Sequence, residues 1–412
     1  MQQIKKNGVD KLVLDFDFIS HLLFSGASGK SCKSTAINRV EYESWRKGAT
    51  IIIIANSKNN VEAGSRIFPI TAKWQIEKLK IQEENPIIPK MIFYHSYTNN
   101  FPTRKLYPYQ IGTYSIKDCL SRSPIGFLFE SAEETSSLSI LNNALDSLRD
   151  DDSLFDLLEK VKGKGTSINI NVINNYLSKL KTNPIFFPHS SKTNFNFEKI
   201  LKNNQTMHLF DNRFHSDPKI KILNNLIVLE AIKKVKEEGR SKYPVIIVMD
   251  ELKSFVPSQV QFAYQSILAK ILADLISTLR SLGVMFVSAT QSIFDIDNKV
   301  QQSFTDIIQG RIGGAFRELK DLSNILGLDV QTRQELMALP KNNFILLNQM
   351  RYGVPEVYQF HAPPWNLFTA GEHFDRMCEK FYPDKLKSHK ENLDSLKKQW
   401  KDQEITSKER TY

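Results

Sequence analysis

Cysteine is scarce in this chain and no apolar run is long. Three cysteines in 412 residues, Cys32, Cys119 and Cys378, are too few and too scattered for a disulfide framework or a zinc site, which points to a reducing compartment. No apolar stretch approaches the ~20 residues that a membrane-spanning helix needs. The polar start Met-Gln-Gln-Ile-Lys-Lys lacks the core of a signal peptide. The expected location is therefore cytoplasmic, with any membrane association made through a partner. Internal repeats and low-complexity segments are also absent. What remains is ordinary for a folded protein: 41% hydrophobic and 24% charged residues. Fifty-five Lys and Arg against 45 Asp and Glu leave a net charge of +10, which admits a polyanionic partner without identifying one.

The most informative stretch is Tyr-Pro-Val-Ile-Ile-Val-Met-Asp-Glu-Leu, residues 243–252. Its short, β-branched apolar run predicts a strand buried on both faces of a parallel sheet, and such sheets bind ligands at the carboxyl ends of their strands. Asp250 and Glu251 stand at that end. Further strands are expected at residues 22–25, 49–55, 91–95, 207–210, 284–288, 306–313, 344–348 and 357–361, with one more within the stretch that opens at residue 11. Helices are expected over 33–47, closed by Gly48, and over 220–238 and 261–282, where apolar residues recur at helical spacing. Residues 75–84 read as a charged helix or its approach. Between about 116 and 204 Ser, Asn, Lys and Leu dominate and only helical spacing is evident. This segment reads as a helical insertion.

Residues 26–35, Gly-Ala-Ser-Gly-Lys-Ser-Cys-Lys-Ser-Thr, follow an expected strand and open an expected helix. A phosphate-binding loop needs glycines for its turns, a Lys for the β- and γ-phosphates and a Ser or Thr hydroxyl for Mg²⁺. Gly26, Ala27, Ser28, Gly29, Lys30, Ser31, Cys32, Lys33, Ser34 and Thr35 supply all these types, although not at the standard spacing. Anchored on Gly26, the loop reaches Lys33 and Ser34 one residue late, with Cys32 where the last glycine belongs. Anchored on Gly29-Lys30-Ser31, it would open at Phe24, inside the strand. The first register is preferred, because phenylalanine cannot make the opening turn that glycine makes. With the loop in place, Asp250 suits a Mg²⁺ ligand and Glu251 a base for the attacking water. Gln291 ends the strand Val284–Ser288 in Ser-Ala-Thr-Gln, where an amide can reach the γ-phosphate.

These residues together, His21-Leu-Leu-Phe-Ser-Gly-Ala-Ser-Gly, then Asp250-Glu251 with Phe255-Val-Pro257, then Ser288-Ala-Thr-Gln291, resemble the HerA/FtsK superfamily of P-loop ATPases. The resemblance covers most of residues 10–365 and implies an α/β fold: a RecA-like core with a mostly parallel central sheet, a helical insertion and a C-terminal helical tail. It implies ATP and Mg²⁺ as cofactors and a homohexameric ring around double-stranded DNA, bound with little sequence preference. A membrane-associated or capsid partner would be reached through protein contacts. By the same matching Lys33 and Ser34 take the phosphate and Mg²⁺ roles, Asp250 the Walker B role, Glu251 the catalytic base and Gln291 the sensor. Members also use an arginine acting on a neighbour's site, for which Arg280 and Arg311 are candidates. The residues before the first strand are too few for the β-barrel that precedes the motor in HerA proteins.

The expected division is core (1–115), insertion (116–204), core (205–365) and C-terminal helical extension (366–412), the last with a charge-rich helix over 385–403. Lys58 and Arg66 are candidate pore contacts by position alone. Two functions stay open: an ATP-driven DNA translocase of a mobile element, conjugation or packaging system, and an ATP-binding, hydrolysis-poor subunit of a nucleoprotein or secretion assembly. A small-molecule kinase fits less well, because adjacent Asp-Glu with a Gln-ended strand is unusual there.

Overall fold

The computed structural model describes residues 6–8, 20–27, 31–56, 89–96, 109–115, 124, 127, 135–149, 152, 154–181, 194–212, 215–260, 262–312, 334, 336–348 and 356–360. The expected strand near residue 11, the charged stretch 75–84, Lys58, Arg66 and the C-terminal extension lie outside these residues. In chain order the elements are β1 (Lys6–Gly8), β2 (Leu22–Ser25), α1 (Lys33–Arg46), β3 (Thr50–Ala55), β4 (Lys90–Ser96) and β5 (Tyr109–Gly112). Then come α2 (Thr135–Asp146), α3 (Leu154–Val161), α4 (Ser167–Lys181), α5 (Phe197–Lys202), β6 (Thr206–Asp211) and α6 (Pro218–Glu237). The rest are β7 (Val245–Met249), α7 (Ala263–Ser281), β8 (Val284–Ala289), α8 (Asn298–Gln302), β9 (Asp306–Gln309), β10 (Asn343–Asn348) and β11 (Glu356–Gln359).

The strands form one sheet in the order β1-β11-β10-β9-β2-β8-β7-β3-β6-β4-β5. From β9 to β5 every neighbouring pair is parallel, a block of eight strands. Only β10 runs against its neighbours. Parallel strands need crossover connections, and these cover both faces, so the strands bury side chains on both sides. Strands β2, β3, β6, β7 and β8 are accordingly buried at every residue. On one face Leu22, Phe24, Ile51 and Ile53 pack with Ala36, Ile37 and Val40 of α1. On the other, Leu23, Ile52 and Ile54 share a cluster with Leu226 and Leu229 of α6 and Leu272 and Leu279 of α7.

Local chemistry sets the ends of these helices. The Asp217 carboxylate accepts from Lys219 N at the start of α6, Pro218 fills the first helical position, and Gly239 follows the end at φ 66°. The segment between β5 and α5 is tied together at its two ends: Thr113 and Asn194 form a parallel bridge, and Phe195 N donates to Thr113 O at 2.9 Å. Its helices bury Leu141, Leu145, Leu157, Val161 and Ile173 in the same cluster as α6 and α7. Helices α2, α3 and α4 therefore add to one face of the core.

The expected strands and helices within the described residues are present, with three differences. Strand β9 stops at Gln309 instead of running to Gly313, and short strands β1 and β5 were not anticipated. Both are held by single neighbours, β11 and β4, at the two ends of the sheet order. Among the described residues no helix is long and apolar enough to cross a membrane.

Candidate nucleotide site

The site is assembled where β2, β8, β9 and β7 end side by side. Phe24 O accepts from Thr290 N at 2.9 Å, and Ser25 O accepts from Gly310 N at 2.7 Å, so both neighbours of β2 are stitched to it at its last residues. The chain then turns at Gly26, with φ 145°. A Cβ at Gly26 would meet Ser31 Cβ and Oγ at 3.0 Å and Arg311 O at 3.2 Å, so only glycine fits the turn and its close packing. Gly26 N donates to Gln291 O at 3.3 Å and Ala27 N to Arg311 O at 2.9 Å. The opening of the loop is thus strapped between the ends of β8 and β9. Ser31 is buried beneath it, its hydroxyl donating to Ala27 O at 2.9 Å.

Cys32 has φ 59° and ψ 39°, and its side chain makes no cap hydrogen bond to α1. This left-handed conformation is where glycine is ordinarily found. Lys33 is the first residue of α1, and its ammonium donates to Gly26 O at 2.5 Å, spanning the loop from its last residues to its first. Ser34 is exposed and Thr35 half-buried at the same helix end, and no acidic residue occupies the first turn. Ser28, Gly29 and Lys30 lie outside the described residues.

Asp250 and Glu251 directly follow β7, one strand beyond β8 in the sheet. The Asp250 carboxylate accepts from Glu251 N at 2.8 Å, and Glu251 has φ 55°, turning the chain into a short 3₁₀ turn over Leu252–Ser254. Both carboxylates are partly exposed at the carboxyl end of the sheet. A second non-glycine residue at positive φ in the same site marks backbone held by its surroundings.

The structure places the two arginines very differently. Arg311, exposed, sits at the loop of its own chain through its backbone carbonyl. Arg280 lies in the last turn of α7, before β8 begins, and so at the amino end of the sheet. Six residues of β8 put it about 20 Å from the phosphate loop at ~3.3 Å per residue. Beside Arg280, His21 at the head of β2 is buried. One ring nitrogen contacts Ile276 O at 2.9 Å and the other accepts from Phe286 N at 3.0 Å, and burial pushes its pKa down to about 4.

Sequence reasoning missed Gly310, where a Cβ would lie 2.8 Å from Ser31 Cβ and 2.9 Å from the Phe344 ring. Its signal was available, since Gly310 follows the strand whose end was placed too far along. Three buried polar atoms lie under the loop without a hydrogen-bond partner among the described residues: Ser25 Oγ, Ser288 Oγ and Gln309 Oε1.

A glycine-opened loop on a strand, an ammonium across it, a helix N-terminus and a carboxylate pair after a nearby strand make up a candidate nucleotide site on a RecA-like α/β fold. Solved structures carry the same fold. The bacterial conjugative coupling protein TrwB aligns over 84% of this chain and 87% of its own, with a TM-score of 0.50 and 13% identity. VirB4 of Thermoanaerobacter pseudethanolicus aligns over 84% of this chain and 90% of its own, with a TM-score of 0.51 and 14% identity. TrwB has also been solved with ADP and Mg²⁺, at a TM-score of 0.50, 13% identity and coverage of 85% of this chain and 88% of its own. At these identities the likeness is one of fold. No protein-family model matches the sequence, and no curated protein matches it.

Proposed function

We propose that this chain is an ATP-driven DNA motor of the HerA/FtsK kind, serving a conjugation, mobile-element or packaging system. The observation that carries the reading is the convergence of Gly26, Lys33, Asp250, Glu251 and Gln291 at one end of the parallel sheet. The residues fit Mg²⁺-ATP: the loop admits no side chain at Gly26, and α1 presents its N-terminal amides without an opposing carboxylate in its first turn. Bound Mg²⁺-ATP supplies the γ-phosphoryl group and the charge that neutralises its oxygens.

The chain's own residues do the rest. Lys33, which donates to Gly26 O, would turn its ammonium to the phosphates. Ser34 and Asp250 would hold the metal, Glu251 would take the proton of the attacking water, and Gln291, beyond the end of β8, would orient that water. Because Gly26 N bonds to Gln291 O, a change at the phosphates reaches β8 through one hydrogen bond. Arg280, far from its own loop, suits the trans role in a homohexamer, while Arg311 suits a role in its own subunit. Double-stranded DNA would be held through its phosphates, with little sequence preference and a steep salt dependence.

One observation favours the second reading, a hydrolysis-poor subunit. Cys32 holds a left-handed backbone in the loop that must wrap the phosphates, at about 1–2 kcal/mol for a non-glycine residue. Displacement of the third strand from a DNA triplex separates the two. ATP-dependent displacement is expected of a motor, whereas ATP binding with no displacement would leave the structural role.

A further inference from the structure

Exposed large apolar side chains are few among the described residues, and two of them stand together: Val260, 47% exposed, and Phe262, 55% exposed. Phe262 is held for presentation. Its backbone N donates to Gln265 Oε1 at 3.1 Å, which fixes the start of α7, and its ring stacks on Tyr264 with centroids 5.5 Å apart and planes 8° apart. Tyr264 is itself anchored, edge to face with buried Phe127 at 6.0 Å and with the Lys219 ammonium 5.1 Å from its centroid. The result is a rigid aromatic stack with an outer ring facing solvent and a cation at its side.

The surroundings are electropositive. The start of α6 carries Lys219 and Lys221, and neither α6 nor α7 has an acidic residue in its first turn. Among the described residues at the start of α6 the carboxylate is that of Asp217, which accepts from Lys219 N. Both helices begin after strands that end on the same side of the sheet as the phosphate loop. A flat exposed π-face beside ammonium groups matches a strand of nucleic acid, in which an unstacked base meets the ring and its phosphates meet the lysines.

The stack is also joined to the candidate catalytic carboxylate. From Glu251 the chain buries Leu252, Phe255 and Val256 in the core, then Pro257 bridges to Ile296, and Ser258 N donates to Asp295 O at 2.9 Å. Lys253 pairs with Asp295 at 3.0 Å, and Asp297 N donates to Val256 O at 2.8 Å. This arm is clamped to the segment that follows Gln291, so a load on Phe262 bears on both Glu251 and Gln291.

We propose that Phe262, Tyr264 and Lys219 form a docking surface for single-stranded DNA, with an unpaired base on the outer face of Phe262. The proposal rests on the DNA-motor reading and adds to its duplex contacts a separate surface for an unpaired strand. The test compares binding of the full chain to a labelled oligo(dT) and to an abasic oligomer of equal length and charge. Wild type should prefer oligo(dT) by roughly tenfold, the scale of one stacked base. Phe262→Ala should abolish the preference, Phe262→Trp should keep it, and ATP turnover without DNA should not change in either. Equal binding of the two oligomers by wild type, or a preference that survives Phe262→Ala, overturns the proposal. So does a shift of Phe262→Ala in oligomeric state at unchanged DNA binding, which would assign the surface to contact between copies. Binding of duplex but not of oligo(dT) overturns this proposal alone, whereas failure to bind any DNA removes the motor reading with it.

Discussion

Cys32→Gly should make the protein more stable, because the cost of the phosphate loop is concentrated at that residue. Cys32 holds φ 59° and ψ 39°, a conformation that costs a residue with a Cβ about 1–2 kcal/mol. Glycine removes that strain and adds back about 0.5–1 kcal/mol through the greater freedom of the unfolded chain. Little else is lost, since the side chain is half-buried and makes no cap hydrogen bond. The net expectation is a gain of about 0.5–1 kcal/mol. Cys32→Ala is the control, for alanine keeps the Cβ and with it the strain. Urea unfolding of the three proteins at one pH reads the difference as a shift in midpoint at constant slope. If the glycine and alanine variants move together, or the glycine variant is the least stable, strain at Cys32 is not what the loop carries. Nucleotide titration of the same proteins extends the test, with the glycine variant expected to bind at least as tightly as wild type.

Lys33→Ala should weaken ATP binding by roughly 10- to 100-fold, the scale of a charge-assisted hydrogen bond, and Lys30→Ala much less. The reverse ranking in a nucleotide titration would select the Gly29-Lys30-Ser31 register. Arg280→Ala should bind ATP normally yet lower turnover in mixed rings by more than its fraction, whereas Arg311→Ala should impair its own subunit only; proportional loss for both would remove the trans role from Arg280. Burial pushes His21, His208 and His215 down to pKa values of about 4, below the ordinary value of 6.5. Each is neutral in the folded protein and protonated in the unfolded chain between those values. Their stabilising contribution is therefore present above pH 6.5 and lost as pH falls toward 4. Unfolding at pH 5 should take up close to three protons from these groups, and a midpoint independent of pH between 4 and 6.5 would contradict it.

Strand β7 was legible because an unbroken apolar run ending in two carboxylates leaves few alternatives, and the helices α1, α6 and α7 were legible because their apolar spacing and end residues agree. The backbone of the loop was not legible: the sequence does not show that Cys32 takes a left-handed conformation. Arg311 was misjudged as a strand residue. Ile312 falls in alternation with Ile308 and so extends the strand pattern, but the strand ends at Gln309, after which Gly310 N donates to Ser25 O and Arg311 O accepts from the loop. Strands β1 and β5 carry little pattern of their own and are created by pairing, β1 with β11 at the other end of the chain and β5 with β4, the strand that precedes it. Phe262 was absorbed into a helical stretch, since spacing alone does not distinguish the exposed residue that starts a helix from the buried ones that follow.

The most direct test of the central claim is ATP turnover with Mg²⁺, with and without linear duplex DNA, for wild type and Glu251→Gln. If Glu251 is the base of a DNA-coupled ATPase, duplex raises wild-type turnover. Glu251→Gln should still bind ATP through Lys33 and Asp250 but turn it over ~10²–10⁴-fold more slowly, the usual loss on removing a general base. Near-normal turnover in Glu251→Gln, or wild-type turnover indifferent to DNA, would contradict the account.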